Sequence, residues 1–282
     1  MNKPCDRCGG VGYTLGRRGE LAQAEPCACQ EACERCGGSR YVFRMEGSYE
    51  VAAPCTCVSL FARVRLFNDA HIPAGYADKS VSSFVHKDPK KVPSEKSLAA
   101  AKARFMKYQQ SLDARDGRGI VLVGPPGVGK THLLCALMNY LTLQKGVACR
   151  FVDFFELTGR IRATFDGKAT GETEASLIEP LVQVPVLAID DLGKGRGSSW
   201  ELTIIDQLIT RRYNAGRLLL ASTNYAPEAL PGGAAPLPSK RGALKETLEE
   251  RIGDRLYSRL VEMADIVTLD GEDRRRSRPA AR

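Results

Sequence analysis

Short apolar runs in the C-terminal two thirds of the chain predict a buried β-sheet. Ile120 to Val123 form one run, and "VPVLAID" (184–190), "RLLLAST" (217–223) and "DIVTL" (265–269) form three more. Short continuous apolar runs are typical of strands that are covered on both faces. The first three runs end in or lead into polar residues, which a parallel sheet gathers at the carboxyl ends of its strands.

Between these runs the apolar positions change to helical spacing. One predicted helix follows the first strand, and its apolar residues are Leu133, Leu134, Leu137, Met138 and Leu141. The segment 93–112 predicts an amphipathic helix that begins at Pro93-Ser94. One face of that helix carries Leu98, Ala101, Phe105 and Tyr108. Together the two patterns predict an α/β fold with a parallel sheet.

The first 60 residues follow neither pattern, because their main feature is a repeated arrangement of cysteines. Each copy reads C-x2-C, then eighteen residues that begin with Gly-Gly, then C-x-C, and the copies are 28 residues apart. The first copy contains Cys5, Cys8, Cys27 and Cys29; the second contains Cys33, Cys36, Cys55 and Cys57. Within the second copy, "YVFRMEGSYEV" predicts two short strands joined at Gly47-Ser48.

Four thiolates are the ligand set of a closed tetrahedral Zn²⁺ site, and C-x2-C presents two of them from one tight loop. We predict a small zinc-ribbon-like module with two Zn²⁺ sites, one in each copy. Both are structural, since no open coordination position remains. The alternative is an interleaved arrangement as in the DnaJ cysteine-rich region, which the C-x2-C-G-G-x-G piece resembles. Cys135 and Cys149 lie in apolar surroundings and are predicted to be buried thiols.

Composition and the first residues indicate which cellular location and which kinds of partner to expect. No apolar run in the 282 residues approaches the roughly 18 residues of a membrane span. The start, "MNKPCDRC", lacks the apolar segment of a secretory signal, so we expect a cytoplasmic location and no membrane partner. A reducing compartment favours metal ligation by cysteines over disulfides. The net charge of +8 permits a nucleic-acid partner, although residues 1–60 carry seven basic and seven acidic side chains.

The segment "GPPGVGKT" fits the phosphate-binding pattern G-x4-G-K-T, and it lies between a predicted strand and a predicted helix. Its backbone N–H groups are expected to hold the phosphates of ATP. Lys130 is expected to neutralise the β and γ phosphates, and the Thr131 hydroxyl to ligate Mg²⁺. The predicted nucleotide-binding residues are Gly124, Pro125, Pro126, Gly127, Val128, Gly129, Lys130, Thr131 and, from the next strand, Asp190.

Polar residues at two further strand ends complete the predicted site. Asp190 is expected to hold Mg²⁺ through water and Asp191 to polarise the attacking water; Asp191 is alternatively the cap of the next helix. Asn224 is expected to contact the γ-phosphate or orient the water, with an ordinary turn residue as the alternative.

With these motifs in view, residues 71–276 resemble the AAA+ ATPases of the DnaC/IstB type. The phrases that carry the resemblance are "IPAGYADKSVSSF", "GPPGVGKTHLL", "VLAIDDLG", "WELTIIDQLITRRYNAGRLLLASTN" and "LEERIGDRLYSRLVEMADIVTLDGEDRR". The resemblance implies an AAA+ P-loop core without a C-terminal helical lid, and slow ATP hydrolysis by the isolated protein. It also implies self-association through an arginine finger, which this family places at Arg259; Arg255 is the second candidate. Arg251 has the same spacing, and all three arginines alternatively form a solvated stripe.

The predicted organisation is a zinc module (1–60), a basic connector (61–98), an ATPase domain (99–270) and a basic tail (271–282). A proline- and glycine-rich stretch, 227–246, departs from the family pattern as an insertion. The resemblance implies an ATP-dependent loader of a DnaB-like replicative helicase. In this interpretation the zinc module docks on the helicase, and single-stranded DNA and ATP control release. The alternatives are an IstB-like transposition helper and an ATP-switched DNA-binding adaptor. Lys194 and Arg196 are candidate DNA contacts or an ordinary exposed turn.

Overall fold

The structure is a computed structural model that describes residues 5–30, 33, 35–39, 41–47, 49–55, 57–90, 92, 95–111, 117–165, 171–195, 197–227 and 246–275. The chain divides into two compact units. The first comprises Met1–Asp78 and Met138–Cys149, and the second comprises Lys79–Leu137 and Arg150–Arg282. This division differs from the predicted boundaries at 60/61 and 98/99, since a helix begins at Val58 and continues past residue 60.

The first unit is built from two β-hairpins and one helix. Its elements are β1 (Tyr13–Arg18), β2 (Leu21–Pro26), β3 (Tyr41–Glu46), β4 (Tyr49–Pro54) and α1 (Val58–Asp69). The predicted hairpin of the second cysteine copy is confirmed, and the first copy forms the same hairpin with the same register. Helix α1 packs on β2 through a buried face that includes Leu60, Val64 and Phe67.

The second unit contains a five-stranded sheet in the order β6-β7-β8-β5-β9. Its strands are β5 (Gly119–Val123), β6 (Cys149–Asp153), β7 (Val186–Asp190), β8 (Leu218–Thr223) and β9 (Ala264–Thr268). The pairs β7–β8, β8–β5 and β5–β9 are parallel, as the apolar runs predicted. Strands β5, β7 and β8 are buried throughout, because helices cover both faces of a parallel sheet.

Seven helices complete the described chain: α2 (Lys96–Ser111), α3 (Lys130–Tyr140), α4 (Phe154–Phe165), α5 (Glu174–Gln183), α6 (Ser199–Asn214), α7 (Leu248–Ile252) and α8 (Asp254–Met263). The predicted amphipathic helix is α2, and its apolar face is buried at Leu98, Ala101 and Phe105. Its proposed start at Pro93-Ser94 lies outside the described residues. Helices α5, α6 and α7 each begin with a capping box, which satisfies backbone N–H groups of the first turn.

One charged side chain lies in the core of the second unit. Arg212 of α6 is fully buried, and its guanidinium donates hydrogen bonds to the backbone carbonyls of Leu181, Val182, Val184, Pro185 and Leu218. Burial lowers the pKa of Arg212 to about 9. These bonds join the end of α5 to the start of β8 and satisfy the buried guanidinium. Among the described helices, none combines the length and apolar character needed to cross a membrane.

Candidate functional site

The phosphate-binding loop lies between the end of β5 at Val123 and the start of α3 at Lys130. Two of its glycines have backbone angles that disfavour side chains, with φ values of 82° at Gly127 and 103° at Gly129. A Cβ on Gly127 would collide with the Asp273 carboxylate, and one on Gly129 would lie 2.5 Å from the Phe84 ring. The loop therefore requires glycine at both positions for steric as well as conformational reasons.

Lys130 lies at the centre of the site and is 6% exposed. Its ammonium donates hydrogen bonds to the Gly124 carbonyl at 2.7 Å, the Pro125 carbonyl at 3.0 Å and Asn224 Oδ1 at 2.7 Å. Burial lowers the pKa of Lys130 to about 8, while the nearby Asp191 and Asp190 carboxylates counteract that change. A buried cation beside exposed backbone N–H groups is suited to binding anionic phosphates.

Thr131 and Asp190 are adjacent, as the sequence predicted for a shared magnesium site. The Thr131 hydroxyl donates to Asp190 Oδ2 at 2.8 Å. Ser222, at the end of β8, donates to the other Asp190 oxygen and also accepts the Asp191 N–H at 3.1 Å. Burial raises the pKa of Asp190, and the hydrogen bonds from Ser222 and Thr131 counteract that effect. A hydroxyl beside a carboxylate is an oxygen ligand set of the kind that Mg²⁺ prefers, so these residues fit the ion.

Asp191 adopts the left-handed backbone conformation, with φ of 54°, and is not the N-cap of the following helix α6. That cap is Ser198. The Asp191 carboxylate accepts from Lys194 Nζ at 2.7 Å and from Asn224 Nδ2 at 3.4 Å. A non-glycine residue in this conformation is uncommon, and such residues concentrate at functional sites. Lys194 is thus joined to the carboxylate pair, while Arg196 lies outside the described residues.

The segment after β9 contacts the phosphate-binding loop, which the sequence did not predict. The Arg274 N–H donates to the Gly127 carbonyl at 3.1 Å. The Arg274 guanidinium donates to Glu95 at 2.8 Å and lies over the Phe84 ring at 5.1 Å. Residues predicted as a basic tail therefore support the loop through 275, and residues 276–282 lie outside the described part of the chain.

The three candidate finger arginines have different surroundings. Arg251 donates to the carbonyls of Gly193 at 2.8 Å and Gly195 at 2.6 Å, so it fixes the loop after β7. Arg255 is exposed and makes no ion pair with the described residues. Arg259 donates to Thr210 on α6 at 2.8 Å, outside the loop–carboxylate network around Lys130. Arg251 and Arg259 therefore both bond within the fold, whereas Arg255 matches the solvated stripe.

An aromatic cluster lies on α4 and the start of α6. The Phe165 and Trp200 rings meet edge to face at 6.2 Å, and the Arg162 guanidinium lies 5.2 Å from the Trp200 ring. Phe165 is 62% exposed. Sequence reasoning missed this cluster, because its members come from helices 35 residues apart and share no periodic pattern.

The eight N-terminal cysteines form two groups, and each group lies within one copy of the repeat. In the first, Cys5–Cys27 and Cys8–Cys29 have sulfur–sulfur distances of 3.9 and 3.6 Å. In the second, Cys33–Cys55 and Cys36–Cys57 have distances of 3.8 and 3.7 Å. Zn–S bonds of about 2.3 Å in a tetrahedron place sulfurs about 3.8 Å apart, so both groups fit Zn²⁺. The interleaved arrangement does not agree with these groups.

Backbone amides favour the thiolate form that a metal requires. The N–H of Gly12 donates to the Cys8 sulfur at 3.4 Å and lowers the pKa of Cys8 to about 7. In the second group the N–H of Cys57 lowers the pKa of Cys55 to about 7 in the same way. Cys135 and Cys149 are buried in the two units away from these groups, as predicted, and burial raises the pKa of each thiol.

Comparisons with known proteins agree with this geometry. Residues 96–228 match the family described as IstB-like ATP binding protein. The chain is 36% identical over 124 residues to uncharacterized protein YqaM of Bacillus subtilis strain 168, covering 42% of this chain and 38% of that protein. It is 33% identical over 161 residues to the replicative helicase loader DnaC of Buchnera aphidicola subsp. Schizaphis graminum, covering 57% of each. The chain thus spans between about two fifths and three fifths of these curated relatives.

Among solved structures, the crystal structure of the DnaC helicase loader matches with a TM-score of 0.53 and 26% identity, covering 70% of this chain and 99% of that chain. The fold and the site define an AAA+ ATP-binding protein with a P-loop core. More specifically, residues 96–228 are similar to the IstB-like ATP-binding family, and the fold is similar to that of the DnaC helicase loader, as the motifs indicated.

Proposed function

We propose that this protein is an ATP-dependent loader of a DnaB-like replicative helicase. The observation that carries the proposal is the match to the DnaC helicase loader over 99% of that chain, together with the intact network from Lys130 to Asn224 and Asp191. The zinc-binding module is the docking element, and ATP and single-stranded DNA control the release of the helicase.

In this proposal the second unit hydrolyses ATP slowly on its own. Lys130 and the loop N–H groups bind the phosphates, and Thr131 and Asp190 would hold Mg²⁺. When bound, Mg²⁺ neutralises charge on the phosphates. Asp191 accepts a proton from the attacking water, and Asn224 orients that water, because the Asn224 amide bonds both the Lys130 ammonium and the Asp191 carboxylate.

Arg259 is proposed to act on the nucleotide of a neighbouring subunit. Within its own subunit it contacts α6 through Thr210 and Asp206, so it takes no part in the Lys130–Asp191 network. An arginine supplied by a neighbour stabilises the negative charge of the transition state and couples hydrolysis to assembly. Arg255, exposed one helical turn earlier, is the second candidate.

Single-stranded DNA is proposed to contact the aromatic cluster of Arg162, Phe165 and Trp200. The exposed Phe165 ring can stack on a base without sequence preference, and Trp200 beside it is partly buried. The Arg162 guanidinium pairs with Glu201 at 3.3 Å, as Lys194 pairs with Asp191, so the support for a contact comes from the Phe165 ring.

The test is a loading reaction with the replicative helicase from the same source and circular single-stranded DNA coated with a single-stranded DNA-binding protein. We expect this protein and ATP to raise the amount of helicase on the DNA at least tenfold, and Lys130→Ala to remove that gain. Absence of both complex formation and loading would contradict the proposal. Stimulation of a transposase in a parallel reaction would then support the transposition-helper alternative.

A further inference from the structure

The two cysteine copies form hairpins of the same register, so their residues correspond one to one at the period of 28. Tyr13 pairs with Pro26 in the first hairpin, as Tyr41 pairs with Pro54 in the second. Residues directly opposite each other lie on the same face of an antiparallel pair. One face of the first hairpin therefore carries Tyr13, Leu15, Arg17, Ala22 and Ala24. The equivalent face of the second carries Tyr41, Phe43, Met45, Glu50 and Ala52.

In the first hairpin the β2 half of this face and its edge are covered by α1 and the residues that follow it, whereas Leu15 and Arg17 of β1 are exposed. Ala22 and Ala24 are 3% and 1% exposed in the strand on which α1 packs. The Asn68 side chain bonds both backbone groups of Ala24, at 2.7 Å to its N–H and 3.0 Å to its carbonyl. The Ala22 N–H donates to the Ile72 carbonyl at 2.7 Å. The second strand of the first copy is thus packed into its unit, while most of the first strand is exposed.

In the second hairpin the equivalent face is exposed and more apolar. Tyr41, Phe43 and Met45 are 55%, 67% and 64% exposed. Phe43 and Met45 replace the leucine and arginine of the first copy. Large apolar side chains are not stabilised by exposure to water. Contiguous exposed apolar patches are therefore typical of interaction sites.

We propose that this face of the second zinc hairpin is the surface that binds the replicative helicase, and that its occupant is an amphipathic helix of the helicase. The first copy supplies the reason for a helix, because α1 packs there on β2, which contributes Ala22 and Ala24 to the equivalent face. The buried residues of α1 include Leu60, Val64 and Phe67, at spacings of four and three. This inference rests on the proposed function and specifies which copy docks and what it recognises.

Charge defines the occupant further. Residues 30–57 carry three arginines and four glutamates, and a Zn²⁺ bound by four thiolates adds two negative charges. The docking surface is therefore apolar with a negative surrounding. It suits a helix that presents apolar residues at i, i+4 and i+7 with lysine or arginine on its flanks, and it disfavours the phosphate backbone of a nucleic acid.

The test compares equivalent positions of the two copies in the full zinc-loaded chain. The variant Phe43→Ser with Met45→Ser changes the exposed face, and Leu15→Ser with Arg17→Ser is the matched control in the first copy. We expect the first variant to raise the Kd for the helicase at least tenfold, and the control to change it less than twofold. Two Zn²⁺ per chain and an unchanged circular dichroism spectrum verify folding.

A photo-cross-linking residue at position 43 gives a second readout in an otherwise unchanged chain. We expect it to capture a helicase helix with basic flanks, and the same residue at position 15 to capture none. Helicase binding that is indifferent to Phe43 and Met45, with no cross-link from position 43, would overturn this inference and leave the loader function standing. No binding by the unaltered chain would overturn the loader function and this occupant together. A loss of single-stranded DNA binding in the Phe43 variant, with helicase binding unchanged, would assign the face to nucleic acid instead.

Discussion

The Lys130 ammonium donates a hydrogen bond to Asn224 Oδ1 across 2.7 Å, which joins the phosphate-binding loop to the end of β8, 94 residues later. Asn224 in turn donates to Asp191 at 3.4 Å, and Asp191 pairs with Lys194. One network therefore connects the loop with the ends of β7 and β8. A ligand that withdraws Lys130 from Asn224 changes the hydrogen bonding of Asp191, so nucleotide binding and the residue proposed to activate water are linked.

ATP affinity should fall as pH rises through about 8. Burial lowers the pKa of Lys130 to about 8, whereas bound phosphates favour its charged form and raise the pKa in the complex. The free protein loses the proton first, so binding above pH 8 requires proton uptake. Isothermal titration calorimetry with a non-hydrolysable ATP analogue should show roughly tenfold weaker binding at pH 9 than at pH 7. Lys130→Arg stays charged throughout, and an equally steep pH dependence in that variant would exclude Lys130 as the cause.

Asp191→Asn should separate ATP binding from hydrolysis. Asparagine tolerates the left-handed conformation that Asp191 adopts, so we expect unchanged thermal stability and analogue binding. Loss of the carboxylate should reduce kcat by about 10²–10⁴, the typical contribution of a general base. Phosphate release measures the rate. Helicase loading that survives this loss of hydrolysis would favour the ATP-switched adaptor, and an unchanged kcat would remove Asp191 from the mechanism.

Mixing of two inactive variants tests whether Arg259 acts across a subunit interface. Arg259→Ala keeps its own Lys130 network, and Lys130→Ala keeps its own Arg259. We expect each variant alone to lose about 10³-fold or more of the assembled ATPase rate, and a mixture to recover part of it. Arg255→Ala serves as the matched comparison one helical turn away. If mixing with Lys130→Ala restores the ATPase rate of the Arg255→Ala variant but not that of the Arg259→Ala variant, the finger is Arg255.

Single cysteine substitutions should affect the two cysteine copies unequally. Cys5→Ser and Cys33→Ser should each reduce the bound Zn²⁺ from two to one per chain, measured by mass spectrometry of the metal. The first should lower the thermal stability of the first unit more, because the first hairpin packs on α1 whereas the second is exposed. Equal losses of stability would show that the second copy also supports the core. Retention of both ions in either variant would contradict the four-thiolate sites.

Much of the site was predictable because its residues fall in short, contiguous patterns. Gly124 to Thr131 lie between a buried strand and a helix, and that order fixes their place at the carboxyl edge of the sheet. The sheet then brings Asp190 and Asn224 to the same edge. The hairpin of the second cysteine copy was equally predictable, because strand-forming residues flank Gly47-Ser48.

Other features depended on contacts that no local pattern encodes. In the sequence Ser222 is only a residue near the end of a predicted strand. In the structure its hydroxyl donates to the Asp190 carboxylate and accepts from the Asp191 N–H. In the sequence Arg251 and Arg259 are spaced as residues on one face of a helix. Only the fold shows that Arg251 donates to the Gly193 carbonyl and Arg259 to Thr210. Side-chain roles of this kind depend on which elements pack together.

The sequence by itself determined the α/β core and the nucleotide loop, because each follows from local geometry and residue chemistry over short spans. Tertiary structure alone decided that the two copies of one repeat differ in environment. The copies have the same spacing and the same hairpin register, but Ala22 and Ala24 are buried in the strand on which α1 packs, whereas the equivalent Glu50 and Ala52 of the second copy are exposed. Burial is a property of packing between distant segments, and a repeated sequence pattern does not specify which copy is covered.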